Sequence, residues 1–138
     1  MKDFNVTDPE FMKIVEHFTL EEVEKEPGQE LPEDTRYLVI LATLVGCQGL
    51  DVYKDMLPKA LDGGLTPVMA KEMVYLAVDY LGIGRVMPFL SATNAILTAR
   101  EVELPLPAQG TTTMENRLEK GAEAQAEIFG ESQSLPCL

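Results

Sequence analysis

The stretch that decides the fold is LVILATLVGC, residues 38–47, in which Thr43 is the one polar side chain. Its length is about half of what a bilayer crossing needs, so we do not expect it to span a membrane. Apolar residues lie on most sides of the helix that it would form. In a soluble protein such a helix either fills the core or contacts another subunit. We expect it to start near Pro32 and to end at Gly46.

Helical spacing of apolar residues continues on both sides of this stretch, and no segment has the alternation of a strand. The sequence therefore predicts an all-α bundle of about six helices. Caps, prolines and glycines set the bounds of the other five. These five run from an N-cap at Thr7 to Pro27-Gly28, from Leu50 to Gly63-Gly64, from Thr66-Pro67 to Gly82, from Arg85 to Ala99 with Pro88 in the first turn, and from Met114 to Gly130.

The chain of 138 residues has the length of one ordinary domain. We expect a helical domain over residues 1–101, a linker rich in proline over 102–113, and a polar helix with a tail over 114–138. The last helix has little apolar face and gains little from packing on its own core. It either docks on a neighbouring subunit or remains mobile, or it is an ordinary solvated terminal helix.

Composition excludes several classes of partner. The chain has 46% apolar residues, which is globular usage, and a formal net charge of −12. A field of that sign repels nucleic-acid phosphates and anionic lipid, so we expect neither as a partner. The two cysteines are ninety positions apart, and no metal-ligand cluster or phosphate loop is visible. We expect no cofactor and no metal. Because we see no signal peptide, we expect a cytoplasmic location.

Four motifs in order resemble the carboxymuconolactone decarboxylase family, which includes the alkylhydroperoxidase D-like proteins. They are LPEDTR at 31–36, ALDGGLT at 60–66, Glu72, and YLG at 80–82. The similarity covers roughly residues 8 to 100. It implies an alkylhydroperoxidase D-like helical bundle that forms homo-oligomers, commonly trimers or hexamers. Independently, two largely apolar helices present more apolar surface than one small core absorbs, unless they cross at the centre of a monomer.

The catalytic signatures of that family are missing from this chain, which makes it a divergent member. The resemblance places the two cysteines of its peroxidases at Gly49 and Val52, and the histidine shared with its decarboxylases at Met56. None of these three positions carries the required side chain. We interpret the nearby Cys47 as a buried apolar residue, with a redox role as the alternative. Cys137, in the C-terminal tail, is expected to be exposed.

Glu72 is present at the position where the resemblance implies a functional glutamate. Tyr75 and Asp79 follow three and seven residues later, so all three share one helix face. A glutamate beside an apolar surface can have its pKa raised by desolvation and act as a general base. The alternative is a structural ion pair between Glu72 and Arg36. The single histidine, His17, is interpreted as a packing or surface residue.

Other residues would form a substrate site around Glu72. Arg85 or Arg36 would hold a carboxylate through bidentate hydrogen bonds, or else pair with surface acids. Met56, Tyr75 and Tyr80 would form the apolar wall. One hypothesis is then a divergent lyase or isomerase acting on a small carboxylate or lactone. The second is a non-catalytic, homo-oligomeric binding or assembly protein, with or without a small apolar ligand, and the third is a peroxidase of the alkylhydroperoxidase type.

Overall fold

A computed structural model describes residues 4–22, 27–28 and 30–130, and it divides the chain into two compact units, Met1–Leu106 and Pro107–Leu138. The described residues are helical without a strand, which confirms the all-α fold class. Within the described residues there are seven α-helices, and a π-helical turn, Phe18–Glu22, directly follows the second. They are α1 (Phe4–Thr7), α2 (Pro9–His17), α3 (Glu33–Gly46), α4 (Leu50–Asp62), α5 (Pro67–Leu81), α6 (Ile83–Ala99) and α7 (Arg117–Phe129).

The core of the first unit is a four-helix arrangement of α3 to α6. Helix α3 packs on α4 and on α5, and α6 packs on the same two helices from the other side. The order around the bundle is therefore α3, α4, α6, α5. Helices α3 and α6, which form from the two segments predicted to be largely apolar, occupy opposite corners, so they do not cross at the centre.

The hydrophobic core is centred on Tyr53 of α4 and Phe89 of α6. Their rings meet edge to face at right angles, with centroids 5.1 Å apart, a geometry that aromatic pairs favour. Both side chains are almost fully buried. The same cluster includes Leu41, Val45, Leu57, Ala60, Leu65, Ala70, Val74, Val86 and Ala92.

Helix α5 begins and ends where the sequence predicts. The Thr66 side chain accepts a hydrogen bond from the backbone N–H of Met69 at 3.1 Å, and Pro67 is the first helical residue. After Leu81, Gly82 has a φ of +80°, a left-handed conformation that side-chain-bearing residues seldom adopt. This glycine reverses the chain so tightly that α6 starts at the next residue.

Two details of the predicted helices are wrong. Thr7 lies within the short helix α1, and Asp8 instead precedes α2, without a capping hydrogen bond from its side chain. Pro88 is the sixth residue of α6, and not in its first turn, because α6 starts two residues earlier than predicted. The predicted extension of the first helix over residues 23–26 lies outside the described residues.

The second unit contains α7, which begins three residues later than predicted. A turn precedes it, in which the backbone N–H of Thr113 donates to the Asn116 side chain at 2.7 Å and the Asn116 N–H donates to the Thr113 hydroxyl at 3.4 Å. The Thr113 hydroxyl also lowers the pKa of Glu115 by hydrogen bonding. Each of these side-chain contacts satisfies a polar group at the start of the helix.

Apolar side chains remain exposed on the outer faces of the first unit. Val39 on α3, Leu76 and Tyr80 on α5, and Ile83 at the start of α6 are each at least half exposed. Phe11, Ile14 and Phe18 are similarly exposed along α2 and its π-helical turn. Within the described residues, no helix is long and apolar enough to cross a membrane.

Candidate functional site

An apolar concave surface lies between α3 and α5, and we call it the α3/α5 groove. Its volume is about 250 Å³. Small residues from both helices allow the groove to form, because they leave space between the larger side chains. The lining consists of Ala42, Val45, Gly46, Met73, Leu76, Ala77, Tyr80 and Leu81.

The chemistry of the α3/α5 groove is that of a binding surface. None of its eight lining residues carries a carboxylate, an imidazole or an amine. The Tyr80 hydroxyl and the Met73 thioether are the functional groups that it offers. The groove can therefore bind apolar matter, and the Tyr80 hydroxyl is the one hydrogen-bonding side chain of its lining.

Glu72, the predicted general base, lies on the exposed face of α5 and outside the lining of this groove. Its carboxylate makes no ion pair or hydrogen bond with any described residue. The predicted alternative partner, Arg36, instead approaches Glu33 at 3.9 Å on its own helix and stacks over the Tyr37 ring at 4.8 Å. The structure therefore gives Glu72 neither a buried, apolar environment nor the predicted Arg36 contact.

The other predicted binding residues are dispersed over the first unit. Arg85 is exposed at the start of α6, whereas Met56 is half-buried on α4 and packs against the core. Tyr75 is exposed on α5, where its ring lies 5.6 Å from the Lys71 ammonium. Tyr80 alone among the predicted site residues lines the α3/α5 groove, with 81% of its surface exposed.

The interpretation of Cys47 as a buried residue is wrong. Cys47 follows the last residue of α3 and is exposed, with its thiol 3.6 Å from the Leu44 carbonyl. The apolar run continues to this position in sequence, but the helix ends at Gly46 and the chain turns there toward α4. Cys137 lies outside the described residues.

His17 lies on the surface, in agreement with one of its two predicted interpretations. The side chain is exposed near the end of α2, where Nδ1 lies 3.2 Å from a carboxylate oxygen of Glu21. An exposed i, i+4 contact of this kind is typical of a solvated helix face.

Lys71 is a residue that sequence reasoning missed. It lies on α5 between Ala70 and Val74, and only 8% of its surface is exposed. No acidic side chain pairs with it in the described part of the chain. The sequence does contain a signal for this burial. Ala70 and Val74 lie at i−1 and i+3 from Lys71, so the aliphatic part of its side chain is expected at the edge of the core.

No group of three or more histidine, cysteine, aspartate or glutamate side chains within residues 4–22, 27–28 and 30–130 could hold a metal ion. Comparisons of the chain with protein-family profiles, with curated proteins and with solved structures find no match. The resemblance to the carboxymuconolactone decarboxylase family therefore stays a prediction from the four sequence motifs.

Proposed function

We propose that this chain is a non-catalytic binding or assembly protein that associates with copies of itself through the apolar surface of α3 and α5. The observation that carries this proposal is the α3/α5 groove, which is apolar, open to solvent and free of carboxylate, imidazole and amine groups. An exposed surface of this kind marks an interaction site in a soluble domain. The assembly would be homo-oligomeric, and its trimeric or hexameric form rests on the family resemblance alone.

The exposed apolar side chains support association more broadly. Seventeen large apolar side chains are exposed among the described residues, against twelve buried apolar ones. Scattered single exposures are normal on a protein surface, but Leu76 and Tyr80 are one helical turn apart and border the same groove. Association would remove this patch from water.

The alternative hypothesis is a lyase or an isomerase, and it requires a different site. It requires Glu72 to act as a base on a bound carboxylate or lactone. Glu72 is exposed on α5 and does not line the groove in which an apolar substrate would bind. The separation of Glu72 from the groove lining therefore supports the binding role.

The test compares two variants of the full chain with the wild type by light scattering coupled to size-exclusion chromatography. Ala42→Glu places a charge on the groove, and Glu72→Gln removes the predicted base. We expect Ala42→Glu to shift the wild-type oligomer toward monomer, because a carboxylate resists burial in an apolar contact. Glu72→Gln should leave the association largely intact. A wild type that is monomeric at every concentration would overturn the proposal.

A control isolates the effect of the groove position. Val52 lies on α4, outside the groove, and is half exposed. Val52→Glu introduces the same charge at another apolar surface site, so it should leave the oligomer unchanged. Turnover of a small lactone or keto acid that Glu72→Gln abolishes would instead favour the enzyme.

A further inference from the structure

Two carboxylates lie beside the α3/α5 groove without lining it. Glu72 and Asp79 are exposed on α5, next in sequence to the groove residues Met73 and Tyr80. Leu76, which lines the groove, follows Glu72 by four residues and precedes Asp79 by three, so these side chains share one side of the helix. Neither carboxylate makes an ion pair within the described part of the chain. A partner that covers Leu76 therefore comes close to both charges.

The basic residues of α3 and α5 are engaged elsewhere. The Lys71 ammonium is next to Glu72 in sequence, but the residue is only 8% exposed and its ammonium lies over the Tyr75 ring at 5.6 Å. Arg36 on α3 approaches Glu33 of its own helix at 3.9 Å. Arg85, on the next helix, is the exposed base nearest to the α5 residues of the groove in sequence. The surroundings of the groove on these helices are therefore more acidic than basic.

A second copy approaches this groove as an acidic molecule. The chain has 23 acidic and 11 basic side chains and a formal net charge of −12 at pH 7. On α3, the exposed residues one helical turn before Ala42 and Gly46 are Val39 and Thr43, and neither is charged. Two copies with the same net charge repel each other at long range. Apolar burial in the groove favours association, and the charges oppose it.

Building on the proposed function, on which this inference rests, we propose that Glu72 and Asp79 restrain self-association through the α3/α5 groove. A carboxylate loses hydration when a partner covers it, and an acidic partner gives little cation contact in return. The contact between copies is then limited to arrangements that leave both carboxylates in water at its edge. Glu72, which the sequence suggests as a general base, thereby limits the surfaces that can cover the groove.

The restraint depends on ionic strength. Glu72 and Asp79 are seven residues apart, which is about 10 Å along the helix axis. Charges in water are screened over about 10 Å at 0.1 M salt and over about 3 Å at 1 M salt. The two carboxylates therefore act nearly independently at the lower concentration and are almost fully screened at the higher one. Self-association should strengthen as salt rises, which is the opposite of a contact held by ion pairs.

The test measures the dissociation constant of the full-length oligomer by analytical ultracentrifugation at neutral pH, in about 0.1 M and about 1 M sodium chloride. Glu72→Gln and Asp79→Asn should each tighten association by roughly two- to threefold at the lower salt, which leaves the oligomer in place. Together they should tighten it by roughly five- to tenfold. Both residues are exposed, so the double variant should remain folded, as circular dichroism checks.

A matched control removes the same charge away from the groove. Glu101 and Glu103 are exposed after the end of α6 and do not line the groove. Glu101→Gln with Glu103→Gln removes two acids and so changes the net charge from −12 to −10, as the Glu72 and Asp79 double variant does. We expect this control to associate within about twofold of the wild type at the lower salt. The difference between the two double variants should vanish at the higher salt, and the effect of salt on apolar contacts cancels in this comparison.

The outcomes distinguish this inference from the proposed function. If the wild type forms an oligomer and the Glu72 and Asp79 double variant associates no more tightly than the control, this inference alone is overturned. An oligomer that dissociates as salt rises also overturns it, because attraction between opposite charges would then hold the copies together. If every protein is monomeric at every concentration, the proposed function and this inference both fail. If only the Glu72 and Asp79 double variant associates, the restraint is confirmed and the proposed function of the wild-type chain is overturned.

Discussion

The Tyr53 hydroxyl donates a hydrogen bond to the Thr93 hydroxyl oxygen at 2.7 Å, and this bond joins α4 to α6 inside the core. The direction follows from the next bond, because the Thr93 hydroxyl uses its single proton to reach the Phe89 carbonyl at 2.8 Å. Both side chains are fully buried. A buried chain of bonds in which every group is satisfied holds two helices in one register.

The two ends of this bond should respond differently to substitution. Tyr53→Phe leaves Thr93 bonded to Phe89 and should lower the free energy of unfolding by about 1 kcal/mol. Thr93→Val keeps the shape but leaves the buried Tyr53 hydroxyl without an acceptor, at a cost of about 1–3 kcal/mol. Urea unfolding at one fixed protein concentration measures both. A larger loss for Tyr53→Phe than for Thr93→Val would contradict the assigned direction of the bond.

Burial also makes the Tyr53 hydroxyl a source of pH dependence. Burial raises the pKa of the Tyr53 hydroxyl above its usual value of about 10. The unfolded chain therefore loses this proton at a lower pH than the folded chain. The stabilisation is complete below pH ~10 and is lost as the pH rises through the folded pKa.

Tyr53→Phe isolates this contribution from the other titrating groups. The variant should lose less stability than the wild type as the pH rises above about 10, because the proton that the wild-type fold retains is absent. Urea midpoints measured at several values of pH provide the comparison. Parallel curves for the two proteins would show that Tyr53 does not titrate in this way.

Much of this fold could be predicted from the sequence because its signals are local. Thr66-Pro67 and Gly82 determine the bounds of α5 through one cap and one left-handed residue, and neither depends on tertiary contacts. The same local signals predict the start of α6 at Arg85, two residues later than its observed start at Ile83. Gly82 both ends α5 and precedes α6, and a sequence pattern does not show that one residue serves both helices.

The candidate site was less predictable, since it depends on how helices are arranged. Tyr80 was identified, but Arg36, Met56 and Arg85 do not join it at the α3/α5 groove. Helical spacing places side chains on faces and says nothing about which helix each face meets. Cys47 shows the same limit, because an apolar run continues past the point where its helix ends.

Arg100 ties the end of α6 to the end of α4. Its guanidinium donates to the Asp62 carboxylate at 2.8 Å and to the Pro58 carbonyl at 3.0 Å. The hydrogen bond from Arg100 lowers the pKa of Asp62. The stabilisation is therefore present above the ordinary aspartate pKa and is lost as the pH falls through the folded one.

Arg100→Lys tests the forked geometry of this contact. A lysine keeps the charge but does not reproduce the planar fork that reaches both oxygens, so the melting temperature should fall. Arg100→Ala should lower it further, and about 1 M salt should narrow the gap between lysine and alanine by screening. Thermal unfolding at neutral pH and near pH 3 provides the measurement. A lysine variant as stable as the wild type would show that the Pro58 contact contributes nothing.

The adjacent glycines after α4 are required for different reasons. A Cβ on Gly63 would overlap the Tyr37 ring, whose Cδ2 atom would lie 3.0 Å away, whereas a Cβ on Gly64 would meet nothing within 4 Å. Gly64 instead has a φ of +98°. Its constraint is the backbone conformation, and that of Gly63 is space.

Alanine at each glycine should therefore be relieved by different changes. Gly64→Ala should cost about 1–2 kcal/mol through the left-handed backbone. Gly63→Ala should cost about 1–3 kcal/mol through overpacking. Tyr37→Leu should reduce the second cost and leave the first unchanged in double-mutant cycles followed by urea unfolding. Relief of Gly64→Ala by the same change would contradict this division.

Lys71 should be replaceable by an apolar side chain. It is 92% buried, since 8% is exposed, and within the described residues no acid compensates its charge. Lys71→Met keeps the packing of the stem and removes the cost of desolvating the ammonium, so stability should stay the same or rise by up to about 1 kcal/mol. Lys71→Ala loses buried methylene groups and should cost about 2 kcal/mol. Urea unfolding ranks the two. If methionine is as harmful as alanine, the ammonium itself stabilises the fold, and Tyr75→Leu then tests whether its contact at 5.6 Å with the Tyr75 ring is the reason.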